Sequence, residues 1–219
     1  MGRDIFSRII HGARISLYVG FGAVAIGITG AFIIGIVAAY VGGMFDMVVQ
    51  RIVDAKLALP GLIIALAIRA ALGASLENVI IAIIFGLIPV VVRTVRSQVL
   101  SLKEMDYILA ARAVGATPIR IIFRHIAPNC FAIYLILATY YMGFAIILEA
   151  TLSFLGVGAP PDSPSWGGML NSAVQEVNPR IAPWTGIFPG LTIFIVVMGF
   201  NLLGDAMRDV MDPRLRRGR

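Results

Sequence analysis

Residues 15–41 read ISLYVGFGAVAIGITGAFIIGIVAAYV, a run of 27 positions without a charge. As a helix rising about 1.5 Å per residue it reaches about 40 Å, more than the roughly 30 Å hydrocarbon core of a bilayer. Its glycines at 20, 22, 27, 30 and 35 are small enough to let neighbouring helices approach closely. A run of this length and character is a membrane helix, and it sets the terms for the rest of the chain.

The composition agrees. Of 219 residues, 59% are hydrophobic and 14% charged, and the mean hydropathy is +0.92. An ordinary soluble domain has about 45–50% apolar and about 25% charged residues. Four further apolar runs bounded by charge follow: Leu57–Leu72, Asn78–Val92, Phe131–Val157 and Trp184–Leu203. The second and third runs are short and carry Pro60, Arg69 and Pro89, and the Gly-Ala-Ser signal at 73–75 separates them as a helical hairpin. The fold predicted is an all-α membrane protein, a polytopic bundle of five spans. The first run is too long for the h-region of a cleavable signal peptide.

Five spans put the two ends on opposite sides. Thirteen of the Lys and Arg residues fall on one side and five on the other. The positive-inside rule makes the thirteen-residue side cytoplasmic, with residues 97–130 and the C-terminus on it. Residues 1–14 then form an extracytoplasmic segment, 156–183 an outer loop, and 206–219 a basic cytoplasmic tail. The three arginines before the first span, Arg3, Arg8 and Arg14, oppose that placement, and a further span upstream would remove the conflict. The net charge of +6 is accounted for by these loops rather than by a nucleic-acid surface, because no basic patch is interleaved with aromatics on a soluble module. Cys130 is the single cysteine, and no metal-ligand spacing surrounds it.

The most charged internal region holds the stretch YILAARAVGATPIRIIFRHIAPN, residues 107–129. Tyr107, Ala110, Ala111 and Val114 recur at i, i+3, i+4 and i+7, one flat helical face with Arg112 beside it. Gly115 breaks the pattern. Thr117 as an N-cap followed by Pro118 starts a second helix, in which Ile119, Ile122, Phe123 and Ile126 repeat the spacing until Pro128 and Asn129 end it. One reading is an interfacial helix with its arginines toward anionic lipid; the other is a docking element whose small residues fit a groove on a partner. The two divide between the halves: the alanine face suits a partner, and the bulky second helix suits the membrane.

"AARAVG" followed by "RHIAPN" resembles the cytoplasmic EAA coupling loop of the membrane-spanning subunits of ABC importers, in the form found in the dipeptide/oligopeptide/nickel permease family. "GRDIFSRIIHGARISL", "VDAKLALPGL", "LEATLSFLGVGAPPDSPSWGGML", "APWTGIFPG" and "FNLLGDAMRDVMDPR" resemble the same family in order, so the likeness covers nearly the whole chain. Leu109 stands where the general pattern has a glutamate, as in much of the peptide branch. Family members usually carry a span before the "GRD" segment, six in all, and the resemblance joins the charge conflict in pointing to a missing upstream span.

The resemblance implies a type I ABC importer permease, with residues 15–205 as its transmembrane domain, in a bacterial or archaeal cytoplasmic membrane. It implies a second permease subunit, two cytoplasmic ATP-binding subunits and an extracytoplasmic substrate-binding protein, with no cofactor of its own. ATPase coupling would fall to Tyr107, Ala110, Ala111, Arg112, Val114, Gly115, Thr117, Pro118 and Pro128. No Gly-x-x-x-x-Gly-Lys-Ser/Thr occurs, and the lysines, Lys56 and Lys103, lie in no glycine-rich loop, so ATP hydrolysis is expected on partners.

Glu149 is an ionisable group in a span. It lies 19 residues after Cys130, about 28 Å along a helix and hence near the outer boundary. It is either a hydrogen-bonding or helix-end group or part of a gate or substrate path. Arg69, near the outer end of its span, is expected to snorkel. In the outer loop, Trp166 and Trp184 read as interfacial anchors, while Asp162, Trp166, Glu176 and Arg180 are candidates for contact with the binding protein.

Two other functional classes lack their marks in the sequence. A secondary transporter would be expected to show further intramembrane carboxylates, a Lys/Asp relay or an inverted repeat. A membrane enzyme would need a constellation that His11 and His125, predicted on opposite sides, do not form. A peptide cargo is preferred over nickel, because no cluster of His, Cys or carboxylates favours the metal.

Overall fold

The computed structural model describes residues 4–73, 75–158, 163–175 and 181–211. Within them the chain is helical, and no strand occurs among the described residues. The first helix, α1, runs over Ile5–Val41, so residues 5–14 are its opening turns rather than a separate segment. Asp4 caps it, its carboxylate accepting the amides of Phe6 at 3.3 Å and Ser7 at 3.0 Å. The hydroxyl of Ser7 donates to the same group and holds the Asp4 carboxyl below the usual carboxylate range.

Helix α1 ends at Gly42, whose φ of 69° lies in the left-handed region, and the chain turns into α2, Gly43–Leu57. Pro60 then precedes α3, Gly61–Leu72, and the two helices are bent by 87°. The expected span Leu57–Leu72 is therefore corrected. Leu57 belongs to α2, and α3 alone, at 12 residues, reaches only about 18 Å. Because Pro60 lacks an N–H, the helix restarts at Gly61 instead of continuing. The hairpin expected after it is present: Gly73 closes α3 at φ 81°, Ser75 caps the next helix by accepting the Asn78 amide at 3.1 Å, and Asn78 Nδ2 donates to the Leu72 carbonyl at 2.9 Å.

Helix α4 occupies Leu76–Lys103 and extends well beyond the predicted Asn78–Val92. Its added turns carry Arg93 and Arg96, which the hydropathy pattern alone places in a loop. They pair with Asp54 and Asp46 of α2. A short α5, Asp106–Ala113, follows, then α6, Pro118–Ile121, a π-helical turn at Ile122–Ile126, and α7, Ala127–Phe154. The last three form one continuous run of 37 residues, Pro118–Phe154. Helix α8 covers Trp166–Gln175 and α9 covers Trp184–Met211. Four helical runs among the described residues are long and apolar enough to cross a membrane, or five if the bent pair α2 and α3 counts as one span.

The core forms where α4 and α7 pack on α1. The buried face of α1 repeats small residues about every fourth position, through Gly12, Ser16, Gly20, Ala23, Gly27, Ala31 and Gly35. Such a stripe lets helices lie close without a hydrophobic drive between them. A Cβ at Gly20 would stand 3.2 Å from Ile146 of α7, and one at Gly35 would stand 3.0 Å from the Val92 carbonyl of α4. Helix α9 packs on α7 and α8 and leaves most of its apolar surface uncovered.

Candidate functional site

Helix α5 hangs on one buried residue. Ile108 is fully enclosed, with Ala111 half-buried behind it, while Tyr107, Ala110, Arg112 and Val114 are exposed. The predicted face of Tyr107, Ala110, Ala111 and Val114 is thus presented outward except at Ala111, which belongs partly to the core. Val114 is 85% exposed. The ring of Tyr107 lies 6.3 Å from that of His125, which links α5 to the π-helical turn.

The C-terminus of α5 is a Schellman cap. Gly115 has φ 80°, its amide donates to the Arg112 carbonyl at 2.9 Å, and the Ala116 amide donates to the Ala111 carbonyl at 3.0 Å. The next helix starts as the sequence predicts: Thr117 is the N-cap, its hydroxyl accepting the Arg120 amide at 3.4 Å, and Pro118 is the first helical residue. Both elements are capped from within, so the angle between them is set by Gly115, Ala116 and Thr117.

Beyond Pro118 two expectations are corrected. Pro128 does not end a helix: it lies in the first turn of α7, inside the continuous run. A proline in a helix removes an N–H and crowds the carbonyl four residues back. Here the preceding π turn, with the Ala127 amide donating to the Ile122 carbonyl, inserts an extra residue and relieves that crowding. The same extra residue rotates the apolar face. Ile121 and Ile126 are buried, whereas Ile119 and Phe123, expected beside Ile126, are 70% and 74% exposed.

At the other end of α7, Glu149 is 1% exposed and enclosed within the bundle. It accepts hydrogen bonds from Ser16 of α1 at 2.8 Å and from Ser153 at 2.7 Å. The Nη1 of Arg69 donates to the carbonyls of Val157 at 3.2 Å and Gly158 at 2.9 Å, just past the end of α7. Trp166 is neither an interfacial anchor nor open to a soluble partner. It is 1% exposed, and its Nε1 donates to the Ile9 carbonyl at 3.0 Å. Trp184 is exposed. Asp162, Glu176 and Arg180 lie outside the described residues.

Among the described residues no three His, Cys, Asp or Glu come together to hold a metal. What the α5 end offers is a capped element with small and apolar side chains turned outward.

Residues 31–217 match the model of the binding-protein-dependent transport system inner membrane component. The chain belongs to that family. Among its relatives, the dipeptide transport system permease protein DppC of Alkalihalophilus pseudofirmus is 48% identical over 219 residues, covering 98% of this chain and 70% of the relative. The glutathione transport system permease protein GsiD of Pectobacterium atrosepticum is 44% identical over 216 residues, covering 99% of this chain and 71% of the relative. Solved structures of the MetNI methionine ABC transporter in inward-facing conformations match with TM-scores of 0.77 and 0.79 at 20% and 19% identity. In each, 97% of this chain and 100% of that chain are covered. The binding-protein-dependent permease therefore has the type I importer fold, and it is a multi-pass membrane component of an ABC importer.

Proposed function

We propose that this permease subunit forms, with a second permease subunit, the path by which di- and oligopeptides cross the cytoplasmic membrane, and that α5 couples it to one of two ATP-binding subunits. The observation that carries the reading is the outward set of Tyr107, Ala110 and Val114 on a helix fixed by Ile108 behind and by the Schellman cap at Gly115. A cleft that closes around such a helix moves whatever is rigidly joined to it, and the joined element is the 37-residue run from Pro118 to Phe154. Ile119 and Phe123, both exposed beside that cap, widen the surface available to the ATPase.

The charge count supports a cytoplasmic α5 end and C-terminus, with α8 on the outer side facing the substrate-binding protein. The names of the dipeptide and glutathione relatives support a peptide cargo. Nickel is the alternative, and binding of dipeptides and of Ni²⁺ by the partner receptor decides between them.

Ala110→Trp tests the coupling. Ala110 is exposed, so the variant should insert in the membrane at the normal level and lose ATP-driven uptake. Normal uptake by that variant overturns the assignment. Ala111 is a poorer site for the test, because its half-buried side chain also packs inside.

A further inference from the structure

Four buried polar side chains meet at the end of the bundle opposite α5. They are Ser16 of α1, Glu149 and Ser153 of α7, and Ser165, immediately before α8. Ser16 donates to Oε2 and Ser153 to Oε1 of the Glu149 carboxyl, and the Ser165 hydroxyl is enclosed beside them. The salt bridges among the described residues lie on α2 and α4, and none reaches Glu149. A buried carboxyl held only by hydroxyls adds little to stability compared with an apolar side chain of the same size. Its effect lies in the one arrangement it permits, because the Ser16 bond ties α7 to α1 while the Ser153 bond holds the carboxyl along α7.

Ser165 has a second role. Its hydroxyl accepts the Gly168 amide at 3.1 Å and its carbonyl accepts the Met169 amide at 2.9 Å, so the serine beside Glu149 is also the cap of α8. The first turn of α8 has no room to shift. A Cβ at Gly167 would lie 2.2 Å from the Ala150 carbonyl oxygen, and the neighbouring Trp166 is bonded to α1 at Ile9. Helix α8 is therefore clamped to α7 at Glu149 and Ala150. At the far end of the same helical run stands the Thr117 cap that follows α5. That run reaches about 55 Å, beyond the roughly 30 Å of hydrocarbon, so its two ends stand on opposite sides of the membrane.

We propose that the cluster of Glu149 with Ser16, Ser153 and Ser165 is the joint by which a substrate-loaded binding protein, seated at the α8 end, acts on the ATPase at the α5 end. Glu149 is thus a positioning residue for receptor-stimulated ATP hydrolysis and does not touch substrate. The inference rests on the function proposed above. The joint requires hydrogen bonds to residue 149 and not its charge, so Gln in its place keeps one acceptor oxygen for one serine and offers an amide N–H to the hydroxyl oxygen of the other.

The test is the ATPase rate of the assembled importer in liposomes, with and without its binding protein loaded with a dipeptide. Glu149→Ala should leave the basal rate unchanged and cut the stimulated rate by about tenfold, a usual size for a lost coupling between sites. Glu149→Gln should restore most of the stimulation, and Ser165→Ala should repeat the loss. In parallel, hydrogen exchange over 166–175 should speed up in Glu149→Ala while that over 106–113 stays as in the wild type. Stimulation of Glu149→Ala equal to the wild type, or unchanged exchange in α8, overturns the joint. Basal and stimulated rates falling in proportion, with no rescue by Gln, reduces Glu149 to a folding residue and overturns it too. A wild-type importer that ignores the loaded binding protein defeats the functional reading itself. That outcome is distinct from failure of the joint, in which the wild type responds and the variants respond equally.

Discussion

The guanidinium of Arg112 lies over the ring of Tyr40, its carbon 5.5 Å from the ring centroid. Tyr40 is in the last turn of α1 and Arg112 in the last turn of α5, so this contact ties α5 to α1 by a side-chain pair. Cation and ring attract through the quadrupole of the aromatic face, worth about 0.5–1 kcal/mol at an exposed site. Arg112→Ala should therefore lower ATP-driven uptake by about fivefold, the population change that about 1 kcal/mol produces, with membrane content unchanged. Arg112→Lys should fall between. Uptake by Arg112→Ala at the wild-type rate would show that the Tyr40 contact does not orient α5.

Gly115 is the hinge at which a side chain should be felt. Its φ of 80° lies in the left-handed region, where an L-residue other than glycine costs about 1–2 kcal/mol. No atom lies within 4 Å of a Cβ built there, so the cost is one of backbone and not of crowding. Gly115→Val should uncouple uptake from ATP hydrolysis more than Gly115→Asn, because Asn tolerates this conformation. Equal activity of the two variants in an uptake assay would remove the backbone argument.

Much of this was legible in the sequence, for reasons that differ from residue to residue. Hydropathy located α1 because lipid dictates its composition over many consecutive positions, and the Thr117-Pro118 start was legible because capping chemistry is local. Pro128 misled because the π turn that accommodates it depends on a shift of hydrogen-bond register that residue types do not encode. The enclosure of Trp166 and of Glu149 was hidden for another reason. Their partners, Ile9 and Ser16, are 157 and 133 residues away in the chain, and no periodicity reports on a contact of that range. Arg93 and Arg96 read as loop charges because their compensating carboxylates sit on a different helix.

The stripe on α1 separates crowded glycines from free ones. At Gly35 an added Cβ would stand 3.0 Å from both the Val92 carbonyl oxygen and the Val95 Cβ, atoms that cannot swing away. Gly35→Ala should cost about 1–3 kcal/mol by overpacking the contact between α1 and α4. At Gly30 nothing lies within 4 Å, and Gly30→Ala should be neutral or stabilise by up to about 1 kcal/mol through helix propensity. Thermal unfolding in detergent should thus give a lowered Tm for Gly35→Ala and an unchanged or raised one for Gly30→Ala. Equal shifts for the two would mean that α1 and α4 are not packed as closely as described.

Two ion pairs hold α2 against α4, and they should not be equal. Asp46 receives both Nε and Nη2 of Arg96, at 2.7 and 2.6 Å, in a site where the aspartate side chain is 13% exposed. The Arg96 hydrogen bond holds the Asp46 side chain in place, and losing it strands a guanidinium that is itself largely covered. Asp54 receives a single Nη2 of Arg93 at 2.5 Å, with both side chains about half exposed. Asp46→Ala should then cost about 1.5–3 kcal/mol, the range for hydrogen bonds to charged groups. Asp54→Ala should cost no more than about 1 kcal/mol, the usual ceiling for a solvated pair. Added NaCl separates them further: it screens the exposed pair and leaves the covered one nearly intact. In high salt the destabilisation by Asp54→Ala should fade while that by Asp46→Ala persists, and loss of both effects together would mean that α2 is held to α4 by apolar packing alone.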